Sequence, residues 1–197
     1  LDILSKGRVD VGIGRTGYPY QLTPYGSGLK DTRGMWEEYA QVLPKIWTED
    51  VVSHEGQYFQ IPPRQVLPKP LQKPHPPLWV AATSPSSMDR IAENGWNLMV
   101  GQGEKFQRVA EQIDYFRAAV GEAGGDYDSG RVTVARAMYT APTKQQVRDD
   151  SEVPFMWFKQ TGSEVGAPPE RRGELLPDNF AEYRRRFSAE SAFDYKA

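Results

Sequence analysis

Cysteine is absent from the 197 residues. That excludes disulfides, thiolate-bound metals and a cysteine nucleophile, and it points to a reducing, cytoplasmic setting. Histidine is scarce: only His54 and His75 occur, in no metal-ligand spacing, so no protein-held metal is expected. No apolar run approaches the roughly 20 residues needed to span a bilayer. The opening residues lack the charged-then-apolar order of a secretion signal. Charge of one sign is also lacking. A formal net charge of −2 gives neither nucleic acid nor an anionic membrane an electrostatic reason to bind.

What is present reads as one globular domain. Hydrophobic residues make up 39% of the chain, enough for a sizeable core rather than a disordered segment. The chain opens on Leu1 rather than Met, and Leu1 to Gly7 reads as the last turn of a helix closed by glycine. A truncated beginning is therefore expected.

Residues 9–14 form a short strand with β-branched Val9, Val11 and Ile13. Asp31 or Thr32 caps a helix to about Thr48, with Met35, Trp36, Tyr39, Val42, Leu43, Ile46 and Trp47 at helical spacing. Pro44 should kink or split it. Residues 51–54 and 57–61 flank Glu55-Gly56 as a hairpin, and residues 62–77, with seven prolines, make an extended connector. Residues 78–82 are an apolar strand of the kind buried on both faces. Ser84 and Pro85 start a helix that ends at Asn94-Gly95.

A strand follows at 96–100, then a helix from Glu104 to about Gly121 with Phe106, Val109, Ala110, Ile113, Phe116 and Val120 on one side. A long strand is expected at 131–141. Thr143 caps a further helix, interrupted near Pro154. Residues 162–177 read as a loop and 178–187 as a short arginine-rich helix; Arg171-Arg172 and Arg184 to Arg186 are assigned no role. Strand–helix alternation of this kind means a parallel α/β sheet, either doubly wound or a TIM barrel. Four strands would be half of an eight-stranded barrel, whose usual size is roughly 250 residues.

Gly12-Ile13-Gly14-Arg15-Thr16-Gly17 matches the dinucleotide pattern G-x-G-x-x-G. That motif needs a helix to begin within the glycines. Tyr18-Pro19-Tyr20 and Thr23-Pro24-Tyr25 follow instead, so the dinucleotide reading fails. At the carboxyl end of a barrel strand the same stretch would bring Arg15 to the face where active sites lie, able to meet a phosphate or an electron-rich ring. From this stretch alone, a solvated arginine fits equally well. Thr83 to Ser87 offers hydroxyls and a helix N-terminus, a natural anion site that is also an ordinary cap. Tyr18 and Tyr25 suit a ligand or a packed lid equally, and His54 and His75 read as structural.

Three segments together resemble the luciferase-like monooxygenase family: Leu4 to Arg15; Thr48-Glu49 with the hairpin to Phe59; and Val66 to Pro85, with Pro68-Lys69-Pro70 and Trp79-Val80-Ala81-Ala82 the most specific. The resemblance covers residues 1–140 and is vague over 150–197. It implies a partial (β/α)8 barrel in one domain, 1–197, with strands four to seven and a hairpin insertion.

The resemblance further implies an FMN-dependent monooxygenase, in which reduced FMN and O2 oxidise a small organic substrate and a flavin reductase is a candidate partner. Arg15, Arg33, Ala82, Thr83, Ser84 and Ser87 correspond to cofactor-phosphate contacts. No catalytic acid or base is assigned, and a homo-oligomer is left open. Two alternatives stand beside it: hydride transfer with the deazaflavin F420 on the same barrel, and a non-catalytic flavin-binding relative. The 197 residues alone are expected to bind FMN weakly or not at all.

Overall fold

The computed structural model describes residues 1–16, 22, 25, 31–101 and 104–166, with residues 159–166 described by backbone alone. Tyr18, Arg171-Arg172 and the helix expected at 178–187 lie outside the described residues. The described residues form two compact units. The first comprises Leu1–Arg15, Thr32–Gly101 and Phe106–Ala135; the second draws on Thr16–Asp31, Gln102–Lys105 and Arg136–Ala197.

The first unit opens with a single helical turn, α1 (Asp2–Ser5), closed by left-handed Lys6 (φ 60) and Gly7 (φ 77). It continues through β1 (Val11–Ile13), α2 (Thr32–Thr48), the hairpin β2 (Val52–Glu55) and β3 (Gln60–Arg64), then β4 (Leu78–Ala81), α3 (Pro85–Glu93), β5 (Asn97–Val100), α4 (Phe106–Glu122) and β6 (Val132–Val134). The main sheet has spatial order β1-β4-β5-β6 and every pairing is parallel. Spatial order therefore follows chain order, with no reversal point. A doubly wound sheet would reverse; a barrel would not. The architecture is that of a partial (β/α)8 barrel.

The two-residue period sorts the side chains. Ile13, Leu78, Val80, Leu98 and Val100 lie in register on one face and form one core with Ala40 and Leu43 of α2, Met88 and Ile91 of α3, and Val109, Phe116 and Val120 of α4. Gly12, Trp79, Ala81, Asn97, Met99 and Thr133 occupy the other face, where Trp79 is half-buried and Ala81 exposed. Burial of 78–82 on both faces is thus corrected. The helices of this unit cover one side, and an apolar run does not say how many faces are covered. Gly12 is where a side chain would have met Met99, whose sulfur lies 3.5 Å from the Cβ it lacks.

Other expectations change for physical reasons. The strand at 131–141 shrinks to Val132–Val134, because its partner β5 stops at Val100; one last ladder bond, Ala135 N–H to Val100 C=O, ends it. Pro44 does not split α2: one backbone bond is lost, but buried Ala40, Val42 and Leu43 hold both sides of it to the core. Phe106, expected on the buried stripe of α4, is 78% exposed, and the buried side includes Gln112 instead. α3 closes through Asn94 on Gly95 (φ 68), where a side chain would be strained.

In the second unit, Thr143 Oγ1 accepts the Gln146 N–H at 3.1 Å and caps α5 (Lys144–Gly166). Pro154 lies inside this helix without interrupting it, and residues 162–166, expected as loop, continue it. Extending an existing helix is far easier than nucleating one. No helix among the described residues is long and apolar enough to cross a membrane.

Candidate functional site

Parallel pairing of β1 with β4 sets the site. Gly12 lies opposite Trp79 and Ile13 opposite Val80. Continuing that register puts Gly14 level with Ala81, and indeed a Cβ on Gly14 would lie 3.9 Å from the Ala81 Cβ. Arg15 is then level with Ala82, whose N–H still bonds Met99 C=O at 3.2 Å. Arg15 and the turn Thr83 to Ser87 therefore leave the sheet at the same end, the carboxyl rim where barrel sites are built. Arg15 is exposed and Ala82 buried.

The turn differs in detail from an ordinary cap. Ser84 is at the N-cap with extended backbone (φ −95, ψ 145) and Pro85 follows at the first helical position, but the Ser84 hydroxyl makes no bond to the helix backbone. It donates to Ser87 Oγ at 2.8 Å. Ser87 and Met88 N–H both donate to Ser84 C=O, and Pro85 has no N–H. Ser86 N–H is left as the first-turn donor that the helix does not engage. Behind the turn, Gln112 of α4 is 3% exposed; its Nε2 donates to Thr83 C=O at 3.4 Å, while its Oε1 is buried without a partner among the described residues.

Arg33 stands at the start of another helix. It is the second residue of α2, as Ser86 is the second of α3. Glu37 joins the two helices: its Oε1 accepts Arg33 Nε at 3.0 Å and its Oε2 pairs with Arg90 Nη1 at 2.8 Å. Glu37 and Arg90 are each the sixth residue of their helix, and the bridge ties α2 to α3 at that point. Neither Glu37 nor Arg90 stands out in the sequence, because their pairing crosses from one helix to another. An i, i+4 spacing to Arg33 was the one available signal.

The remaining candidates divide. His54 Nε2 lies 3.0 Å from Glu38 Oε1, and His75 bonds Pro76 C=O at 2.8 Å and rests on the Trp47 ring. Both are absorbed in packing, and His75 precedes the amino end of β4, opposite the carboxyl rim. Tyr25 is 84% exposed. Among the described residues no group of acidic and histidine side chains could hold a metal.

The donor set fits a phosphate monoester: two guanidinium groups, paired serine hydroxyls and an unengaged N–H at a helix start, all suited to an anion's oxygens. Taken together, the fold is a partial parallel barrel whose carboxyl rim carries donors suited to an anion. The chain belongs to the luciferase-like monooxygenase family, whose model matches residues 1–195.

Among its relatives, the oxygenase component of the flavin-dependent trigonelline monooxygenase of Acinetobacter baylyi is 30% identical over 75% of this chain and 41% of its own length. The monooxygenase RslO1 of Streptomyces bottropensis shares the fold with a TM-score of 0.77, at 24% identity over 94% of this chain and 60% of the other. The oxygenating constituent of 3,6-diketocamphane monooxygenase from Pseudomonas putida, a type II Baeyer–Villiger enzyme solved with FMN, matches with a TM-score of 0.69 at 20% identity, covering 84% of this chain and 51% of the other. The chain thus spans about two fifths of the curated relative's length and 60% of the first structure's.

Proposed function

We propose that this chain supplies the phosphate-gripping side of an FMN-dependent monooxygenase that uses O2 to oxidise a small organic substrate. The observation that supports the reading is the parallel β1–β4 register, by which Arg15 and the Ser84–Ser87 turn leave the sheet at the same end. Reduced FMN, when bound, supplies the electrons that activate dioxygen. The protein's own part is binding and orientation. Arg15 and Arg33 offer charge and fork-shaped donors to phosphate oxygens, and the serine turn offers hydroxyls that need only rotate to serve the ligand.

The name of the Acinetobacter relative, an oxygenase component, supports a separate flavin reductase as the source of reduced FMN. Protein expressed from its complete reading frame tests the proposal. The expected result is a flavin absorption spectrum on reconstitution with FMN and oxygen uptake that depends on substrate and on a reductase with NADH. A cofactor that lacks the long-wavelength flavin band and supports hydride transfer without oxygen uptake would instead assign the site to a deazaflavin. Flavin binding with no turnover would assign it to a non-catalytic relative.

A further inference from the structure

We infer that Glu37 is a positioning residue that presents Arg33 to a phosphate, an inference that rests on the reading of the rim as a flavin-phosphate site. A glutamate beside an arginine more often simply neutralises it, and two features of this pair argue otherwise. Glu37 takes Arg33 by Nε alone, through Oε1 at 3.0 Å. Its other oxygen, Oε2, is occupied by Arg90 Nη1 at 2.8 Å. Glu37 thus holds Arg33 by one nitrogen rather than in the two-pronged pair that a carboxylate often makes with a guanidinium. The plane of the Arg33 guanidinium is fixed from its Nε corner, and the two Nη groups carry no hydrogen bond among the described residues. Those two groups match two oxygens of a phosphate.

Charge points the same way. Arg33 and Glu37 alone would sum to zero; with Arg90 the three side chains carry a net +1, so an anion still meets positive potential. The same carboxylate also ties α2 to α3 through Arg90.

The test compares FMN with riboflavin, which lacks the phosphate. Trace flavin is titrated with the protein expressed from its complete reading frame, and with its variants, and binding is read by fluorescence anisotropy. The native chain is expected to bind FMN more tightly than riboflavin. Glu37→Gln should reduce FMN affinity about ten-fold and leave riboflavin unchanged. Arg90→Met, which frees Oε2 to capture Arg33 in a two-pronged pair, should also weaken FMN selectively. Melting of each variant by circular dichroism checks that the fold is intact, and either variant alone suffices if the other unfolds. FMN binding that is unchanged or tighter in Glu37→Gln overturns the positioning role while leaving the phosphate site standing. Equal binding of the two flavins by the native chain overturns the phosphate site itself, and the inference with it.

Discussion

Glu38 Oε1 lies 3.0 Å from His54 Nε2, and the same carboxylate accepts the backbone N–H groups of Gln57, Tyr58 and Phe59 at 2.8–3.3 Å. One side chain on α2 thus takes the place of the ladder bonds that the tip of the β2–β3 hairpin lacks. Two glycines make room for it. A Cβ on Gly56 would overlap the Glu38 carboxylate, and one on Gly34 would lie 2.5 Å from the Tyr58 hydroxyl. Tyr39 and Phe59 complete the joint with ring centroids 6.4 Å apart.

Replacing Glu38 by Gln should therefore loosen the hairpin rather than the main sheet. An amide can accept at one atom only, so at least part of the set of three backbone donors loses its partner. The expected outcome is a melting temperature lower by several degrees, with hydrogen-exchange protection lost at Gln57 to Phe59 and kept on β4 and β5. Protection lost evenly through the sheet would contradict a local role.

Acid should act on two knots at once. Burial is the largest influence on Glu38 and pushes its carboxyl up, but the hydrogen bonds from His54, Phe59, Tyr58 and Gln57 together hold it below the usual carboxylate range. Asp2 is held low first by the Gln72 backbone N–H, against burial, with the Gln72 side chain and the Leu71 N–H adding to it. In the unfolded chain both ionise at about pH 4. Because the folded values are depressed, the stabilisation is complete above that pH and is lost as pH falls through the folded values. Melting curves from pH 7 down to pH 3 should show this fall, and the pair Asp2→Asn with Glu38→Gln should flatten it.

The core prediction concerns Leu98, which is fully buried on the central strand β5. Leu98→Ala should cost about 2–5 kcal/mol, the range for deleting a buried leucine side chain in a packed interior. Denaturant titration checks it. A loss under 1 kcal/mol would mean that this sheet face is less tightly packed than it is drawn.

At the rim, Arg15→Gln should weaken FMN about 10- to 100-fold, the value of a charge-assisted contact to an anion, and leave riboflavin nearly untouched. Equilibrium dialysis with each flavin separates the two outcomes. Equal losses for both would place Arg15 against the ring system instead.

Lys69 makes a second kind of anchor. Its ammonium donates to Ile46 C=O at 2.8 Å and Glu49 C=O at 2.5 Å, meeting the unsatisfied carbonyls where α2 ends. Lys69→Met keeps the stem but removes the donors and the charge, and should cost about 1–2 kcal/mol. Urea unfolding measures it.

Much of the fold was legible because it rests on local signals. Alternation of Val9 to Ile13, the apolar run at Leu78 to Ala82, and Ser84-Pro85 before a helical pattern placed strands and helices within a few residues. Missed features depend on distant partners. The hairpin pairs Glu55 with Gln60, so its loop holds four residues, Gly56 to Phe59, rather than the two expected; the reason is Glu38, far off in the chain. The length of β6 was decided by where β5 stops. In the site, Arg15 and the serine turn were visible as strand-end and cap chemistry, whereas Glu37 and Arg90 become meaningful only when two helices lie side by side. The specific Pro68-Lys69-Pro70 segment also acquires a physical job, the capping of α2.

The proline-rich connector carries a further consequence. An irregular segment is hard to hold against a fold because each amide that leaves water demands an acceptor. Beyond β3, five of the thirteen positions in 65–77 are prolines and make no such demand. Of the amides that remain, Leu71 and Gln72 are met by the single Asp2 carboxylate, at 2.7 and 2.9 Å. A chain sparing in donors can thus travel a long way without a neighbouring strand, moored by a few well-placed acceptors and by the Lys69 ammonium.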